Sequence, residues 1–409
     1  MTMHNYNNPL SITSQFSFCG LPFRLDTYAG CAIGCKYCFA RTRGGNINSK
    51  QLKVANHNDI ISTFQNALTS NNNGIISQFI RNNVPLHFGG MSDPFQSIEK
   101  RFGTSYFVLE YLKSINYPVV VSTKSDLIIS PKYLSLLKSY KNLVIQISIS
   151  TLDNDKSKII EPNAPSPELT LQMIQTLNDN GVNTTIRWQP YIIGVSDRLE
   201  DFVNRISKLN VKHLSFEHLK LPLEKNIDLD NKIKKITGKS IYEEYKKLNA
   251  IVDGRELILP IEFKKTSIFK LKEISKKHNI NIGFADNEFQ YLSDFNCCCS
   301  GIDMFNGFEN WYKPQISYAI KKAYNQAKKV ISFNEIENEW NSTGAIDKFI
   351  NSKSRIDKVE THNTMLDYVR DRWNNLNSPF NPTKYFNISY AKQTDEKGNK
   401  IYKFDDQIF

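Results

Sequence analysis

Between Phe23 and about Phe216 the chain alternates short, continuous apolar runs with amphipathic stretches. PFRLDTY at 22–28 comes first. VPLHFGG (84–90), YPVVVSTKS (117–125), NLVIQISIS (142–150), NTTIRWQP (183–190) and VKHLSFEHL (211–219) follow. Apolar runs of this length separated by helical periodicity predict a parallel sheet with helices outside it. One connecting helix shows both ends: Ser166 as cap, Pro167 and Glu168 in the first turn, Leu169, Met173, Ile174 and Leu177 on one face, and Gly181 at the stop. A right-handed series of such units curls into a partial or near-complete parallel (β/α) barrel, the fold class expected here.

After Leu219 the pattern changes to a lysine-rich insertion at about 220–258. A strand (ELILPIEF), a helix from about Thr266 to His278 and a last strand (NINIGFAD) are expected next. The division read from this is an N-terminal segment at 1–21, a barrel domain at 22–303 and a mainly helical C-terminal extension at 304–409, a candidate for substrate recognition. The aromatics Trp311, Tyr312, Trp340 and Trp373 of that extension are either base-stacking positions or core.

A chain of 409 residues, 40% of them hydrophobic, is long enough for a substantial core. The opening segment lacks the basic start and apolar centre of a secretory signal, and no apolar run approaches a membrane span, so the expected setting is the cytoplasm with no membrane partner. There cysteines stay reduced, which turns a cluster of them toward metal or redox chemistry. The net charge of +11 makes nucleic acid an expected partner. The abundance of Lys, Asn and Ile throughout gives a blander account, biased base composition. From Leu219 to His278 fifteen Lys or Arg stand against nine Asp or Glu, an excess that would hold phosphates in a salt-dependent way.

The chemistry concentrates in YAGCAIGCKYCFA, where Cys31, Cys35 and Cys38 stand at CxxxCxxC spacing, and in NCCCSGID, where Cys297, Cys298 and Cys299 are contiguous. Structural zinc asks for four protein ligands, and no second knuckle matches the first; catalytic zinc from one loop is unusual. An iron–sulfur cube with three cysteine ligands and an open iron fits better. The loop follows the first strand, so in a barrel it shares a rim with the ends of later strands, which are polar or glycine-rich: Gly89, Gly90, Ser92, Asp93, then Lys124, then Ser148 and Ser150, then Arg187. Cys19 stands apart and is read as structural.

With the aromatic Tyr37 just before its third cysteine, the loop resembles the cluster loop of the radical S-adenosylmethionine (SAM) superfamily. GGMSDPFQSIEK (89–100), VSTKS (121–125), EPNAPSPELTLQMIQTLNDNGV (161–182) and RWQPYIIGVSD (187–197) resemble its spore photoproduct lyase-like branch. The resemblance covers roughly Pro22 to Asp303. It implies that Cys31, Cys35 and Cys38 ligate a [4Fe–4S] cluster and that SAM chelates the open iron, with a 5'-deoxyadenosyl radical as the hydrogen abstractor. By the same resemblance Tyr37 packs near adenine and Gly89 and Gly90 let the backbone approach the SAM amino group. Met91 departs from the acidic residue that often follows those glycines, which leaves Asp93 as the substitute carboxylate. Lys124 or Arg187 would pair with the SAM carboxylate, Ser148 and Ser150 would bond its ribose, and YIIG (191–194) would support the adenine.

For the second cysteine run the branch implies hydrogen-atom donation to a product radical. An auxiliary iron–sulfur cluster and a structural set of small apolar thiols are the alternatives. On an extended backbone Cys297 and Cys299 would share a face. The expected function is a lyase-like radical SAM enzyme that repairs or modifies a nucleic-acid base, with a one-electron reductant such as flavodoxin or ferredoxin as partner. Modification of a peptide or small molecule, and a non-catalytic metal- or nucleic-acid-binding module, are the other readings.

Overall fold

The computed structural model describes residues 6–13, 18–41, 52–72, 74–295, 299–308, 313, 315–342 and 364–405. Its centre is an eight-stranded sheet of β1 (Leu10–Ile12), β2 (Phe23–Leu25), β3 (Leu86–Phe88), β4 (Val119–Thr123), β5 (Leu143–Ser148), β6 (Thr184–Tyr191), β7 (His213–His218) and, after the insertion, β11 (Asn281–Phe284), in that spatial order. β1 is antiparallel to β2 and all later pairings are parallel. The sheet does not close on itself, so the fold is the partial member of the expected class.

Period two gives the sheet two chemically different faces. Leu25, Phe88, Val121, Ile145, Ile147, Ile186, Leu214 and Phe216 are fully buried against the flanking helices. The helix Pro167–Asp179 illustrates why they form: the Ser166 hydroxyl accepts from Leu169 N (3.2 Å), Met173, Ile174 and Leu177 are wholly buried, and Gly181 takes φ +71° just beyond the end. The opposite face is polar in its upper half. Arg24 lies beside His87, Ser122 beside Gln146, and Arg187 between Ser148 and Ser215.

The insertion is a compact unit: β8 (Leu221–Pro222), helices Ile227–Thr237 and Ile241–Lys247, β9 (Ile251–Asp253) and β10 (Glu256–Ile258), with the strands in a separate antiparallel sheet. Here the sequence expectation fails. ELILPIEF does not enter the main sheet; its first part is β10, and Ile261 already begins the helix Ile261–Lys277. Pro260, with extended backbone just before the first turn, sets that boundary. The insertion has its own core of Leu229, Ile233, Ile241 and Tyr245, packed on Ile160, Ile192 and Leu219.

The C-terminal region contains the expected helices Ile316–Asn325, Asn334–Ser342 and Met365–Asn374. It also holds an antiparallel sheet of β12 (Val330–Ile331), β13 (Ile388–Thr394) and β14 (Lys400–Phe404). Trp373 is fully buried in this unit, and its indole donates to the Lys400 carbonyl (2.7 Å), which makes it core and not a stacking platform. Trp311, Tyr312 and the side chain of Trp340 lie outside the described residues.

Candidate active site

The ends of β2 to β6 gather the polar residues at one rim, and the cysteine loop lies across it. Gln96, wholly buried, holds the loop on both sides of Cys31: its amide donates to the Gly30 carbonyl (3.0 Å) and its oxygen accepts from Ala32 N (2.7 Å). The Ser92 hydroxyl donates to the Tyr28 carbonyl (2.5 Å), and Asn163 donates to the Ala32 carbonyl (2.8 Å). At the far end Lys36 N donates to the Ile160 carbonyl (2.9 Å). Beyond the short pairing of Tyr28–Ala29 with Lys53–Val54, these contacts take the place of regular secondary structure for the loop's backbone groups.

Cys31, Cys35 and Cys38 form no disulfide and are all half-buried. Burial and then the Asp93 carboxylate push the Cys31 thiol up to about 12, with Cys38 adding to it. Cys35 is raised by burial, by Glu161 and by both other thiols, against Lys124. Sulfurs close enough to raise one another are a donor set that a polycationic core relieves. Among the described residues no three His, Cys, Asp or Glu side chains gather around a single-ion position. Three thiols on one short loop suit a cube that takes three cysteine ligands and leaves one iron open.

The centre of the rim is a residue that sequence reasoning left unassigned. Glu161, nearly buried, accepts from the Tyr37 hydroxyl, from the Ser150 hydroxyl and from Lys124 Nζ (3.1 Å). The Lys124 ammonium also donates to the Ser148 carbonyl (3.0 Å). Tyr37, Lys124 and Ser150 lie together here, and the residue that joins them is Glu161. Its place in EPNAPSPEL, between two helices and next to a proline, was the available signal. The Lys124 charge is engaged by that carboxylate, whereas among the described residues the Arg187 side chain bonds only the neutral Gln189, through Nε (2.6 Å). Ser148 lines a cleft with Lys124, Glu161, Pro165 and Thr170.

Gly89 and Gly90 differ. Gly89 has φ +88°, and a Cβ there would lie 2.7 Å from the Ser122 carbonyl oxygen. Only glycine lets the chain turn this tightly over β4. Gly90 faces the Arg24 side chain at 3.3 Å. The loop after them is shaped by two buried acids. Asp26 accepts from Met91 N (2.8 Å) and Ser92 N (3.0 Å), and burial pushes its carboxyl up to about 6 despite those bonds. Asp93 accepts from Phe95 N (2.9 Å), the Thr123 hydroxyl (2.8 Å) and Lys124 N (2.7 Å), and burial raises it too. Its carboxylate oxygens are turned to the loop's own scaffold, in place of the open position the sequence reading gave them.

Cys299 sits on the polar face of the sheet. Gly283 of β11 pairs in register with Ser215 and shares its face, and a Cβ on Gly283 would fall 2.0 Å from the Cys299 carbonyl oxygen. Two residues on, Gly301 at φ +60° packs on the His213 ring of β7. Residues 299–301 therefore cross the last two strands on the face that carries Arg187, Gln189 and Ser215. Cys299 and Ser300 form a turn and not the extended backbone expected; Cys297 and Cys298 lie outside the described residues.

Comparison with known proteins agrees with this geometry. Residues 25–206 match the family model of the radical SAM superfamily. This part of the chain is similar to a radical SAM domain. The family implies SAM and a [4Fe–4S] cluster as cofactors. An uncharacterised protein of Methanocaldococcus jannaschii is 25% identical over 241 residues, covering 55% of this chain and 83% of its own. An uncharacterised protein of Acidianus two-tailed virus is 25% identical over 168 residues, 37% of this chain and 54% of the viral protein. Among solved structures, a spore photoproduct lyase mutant with bound AdoMet and dinucleoside spore photoproduct matches with a TM-score of 0.48 at 13% identity, over 67% of this chain and 78% of that one. Streptococcus suis SuiB bound to S-adenosylmethionine matches with a TM-score of 0.41 at 14% identity, over 66% and 50%.

Proposed function

We propose that the chain is a radical SAM enzyme in which Cys31, Cys35 and Cys38 hold a [4Fe–4S] cluster and the polar face of the sheet receives an anionic substrate, foremost a nucleic-acid base carried with its phosphates. When bound, the cluster with SAM supplies a 5'-deoxyadenosyl radical. The chain's own residues do the rest. Gly89 shapes the turn at the rim where the SAM amino group would bind, and Arg187, which pairs with no carboxylate among the described residues, would hold the SAM carboxylate. Glu161 fixes Tyr37 and Ser150 for the adenosine. Arg24 gives the polar face a positive charge, which favours phosphate.

The observation that supports the reading is the seat of the Cys299 backbone on Gly283, on the polar face of the sheet. A thiol there returns a hydrogen atom to a product radical, since S–H bonds are weak. Any base so treated must leave its duplex stack or come from a single strand.

Anaerobic reconstitution with iron and sulfide quantification, EPR and 5'-deoxyadenosine assay tests the reading. The wild type is compared with Cys31→Ala and with the triple Cys297→Ala/Cys298→Ala/Cys299→Ala variant. Cys31→Ala loses the cluster signal; the triple variant keeps its iron and still yields 5'-deoxyadenosine, but fails on a nucleic-acid substrate. Loss of about half the iron in the triple variant would instead mark an auxiliary cluster and a peptide or small-molecule reaction.

A further inference from the structure

The surface beside the cysteine loop is basic, and nothing in the site above uses it. Asn226 Nδ2 donates to the Lys36 carbonyl (3.2 Å), and Asp228 in the first turn of the Ile227–Thr237 helix pairs with Lys36 Nζ (2.9 Å). Lys36 stands between Cys35 and Cys38, so this helix is fastened to the loop that holds the thiols. Leu229, Asp230 and Ile233 face inward; Ile227, Asp228, Asn231, Lys234 and Lys235 face outward. The acids of the helix are used locally, Asp228 by Lys36 and Asp230 by Lys225 and Ser240. Lys234, Lys235, Lys239 and Lys246 are exposed, and among the described residues none pairs with a carboxylate. Ile227, 67% exposed, adds an apolar contact to this basic surface.

We propose that this helix face docks an acidic, one-electron donor protein. The inference rests on the proposed function, in which the cluster at Cys31, Cys35 and Cys38 takes up one electron before each SAM cleavage. The donor is oxidised by one electron and the cluster reduced by one; no bond is made or broken in the transfer. A protein seated on Lys234, Lys235 and Ile227 lies against the helix tied to the cluster loop. Opposite charge steers such encounters, and electron-transfer complexes are held by small interfaces of this kind. Nucleic acid answers to the same charge, but strand binding relies on stacking side chains, and this helix carries no aromatic residue.

The test uses flavodoxin as the donor probe and the reconstituted full chain, wild type against Lys234→Glu/Lys235→Glu/Lys239→Glu/Lys246→Glu. Flavodoxin binding is measured by surface plasmon resonance at low and high salt, and cluster reduction by visible absorbance with reduced flavodoxin or with dithionite. A single-stranded oligonucleotide is run in parallel. In the expected result the variant binds flavodoxin about tenfold or more weakly at low salt and is reduced correspondingly slower by it, while dithionite reduction matches the wild type. Unchanged flavodoxin binding and reduction overturns the proposal. So does loss of oligonucleotide binding with flavodoxin reduction intact, which would make the surface a nucleic-acid site. A wild type that dithionite cannot reduce overturns the functional reading itself, and the docking proposal with it.

Discussion

The Tyr37 hydroxyl donates to the Glu161 carboxylate across 124 residues of sequence, and the same carboxylate holds Ser150 and Lys124. One side chain thereby ties the cysteine loop to the ends of β4 and β5. The Lys124 side chain is only 12% exposed, so removing its partner leaves a largely buried cation. Glu161→Ala is expected to cost about 3 kcal/mol of stability. Glu161→Gln, which keeps the shape, costs less, and both weaken SAM binding by calorimetry. An unchanged thermal midpoint in Glu161→Ala would refute this role.

Gly89 and Gly90 separate by substitution. Alanine at Gly89 meets both a positive φ and the Ser122 carbonyl at 2.7 Å, and is expected to cost about 2 kcal/mol or more. Alanine at Gly90 needs only a small shift of the Arg24 side chain and stays within about 1 kcal/mol. Urea unfolding of the two single variants gives the comparison.

Gly283→Ala addresses the second cysteine run. With the Cys299 carbonyl 2.0 Å from the added methyl, the 299–301 segment must leave the sheet. Iron content and uncoupled 5'-deoxyadenosine formation should persist while turnover of substrate falls sharply. Equal loss of all three would mean that the segment supports the fold alone.

Two buried acids give opposite pH dependences. Asp26 has its pKa raised from 3.8 to about 6, so its folded state is favoured below pH 3.8 and that advantage disappears as pH rises through about 6. Asp26→Asn keeps an acceptor for Met91 N and Ser92 N and is expected to gain on the wild type by up to about 3 kcal/mol between pH 4 and 7.

Asp286 is the reverse case. It accepts from His218 Nδ1 (2.7 Å) and pairs with Lys264 Nζ (3.2 Å). His218 first, then Lys264, hold its carboxyl well below the usual 3.8 against the cost of burial. Its contribution is present above pH 3.8 and is lost only as pH falls toward the lower folded value. Asp286→Asn should cost about 3–5 kcal/mol at neutral pH, and the deficit should narrow only below pH 3.8.

The sequence by itself determined the order of the parallel strands β2 to β7, the cap and stop of the Pro167–Asp179 helix, and the gathering of three cysteines on one short loop. Each follows from local rules: apolar period, capping chemistry, and donor spacing on one short loop. It missed the fate of ELILPIEF, because a short apolar run reads alike whether its partner is the main sheet or a hairpin beside it. Glu161 left only a faint local signal in EPNAPSPEL, and Gln96 and Asp26 left none, since their importance lies in hydrogen bonds to groups 64 to 124 residues away. The tertiary structure alone decided that Asp93 serves its own loop, that Trp373 is core, and that Cys299 rests on Gly283. Those outcomes depend on which strands become neighbours, and pairing between distant segments is fixed by burial of the whole sheet and not by any local run of residues.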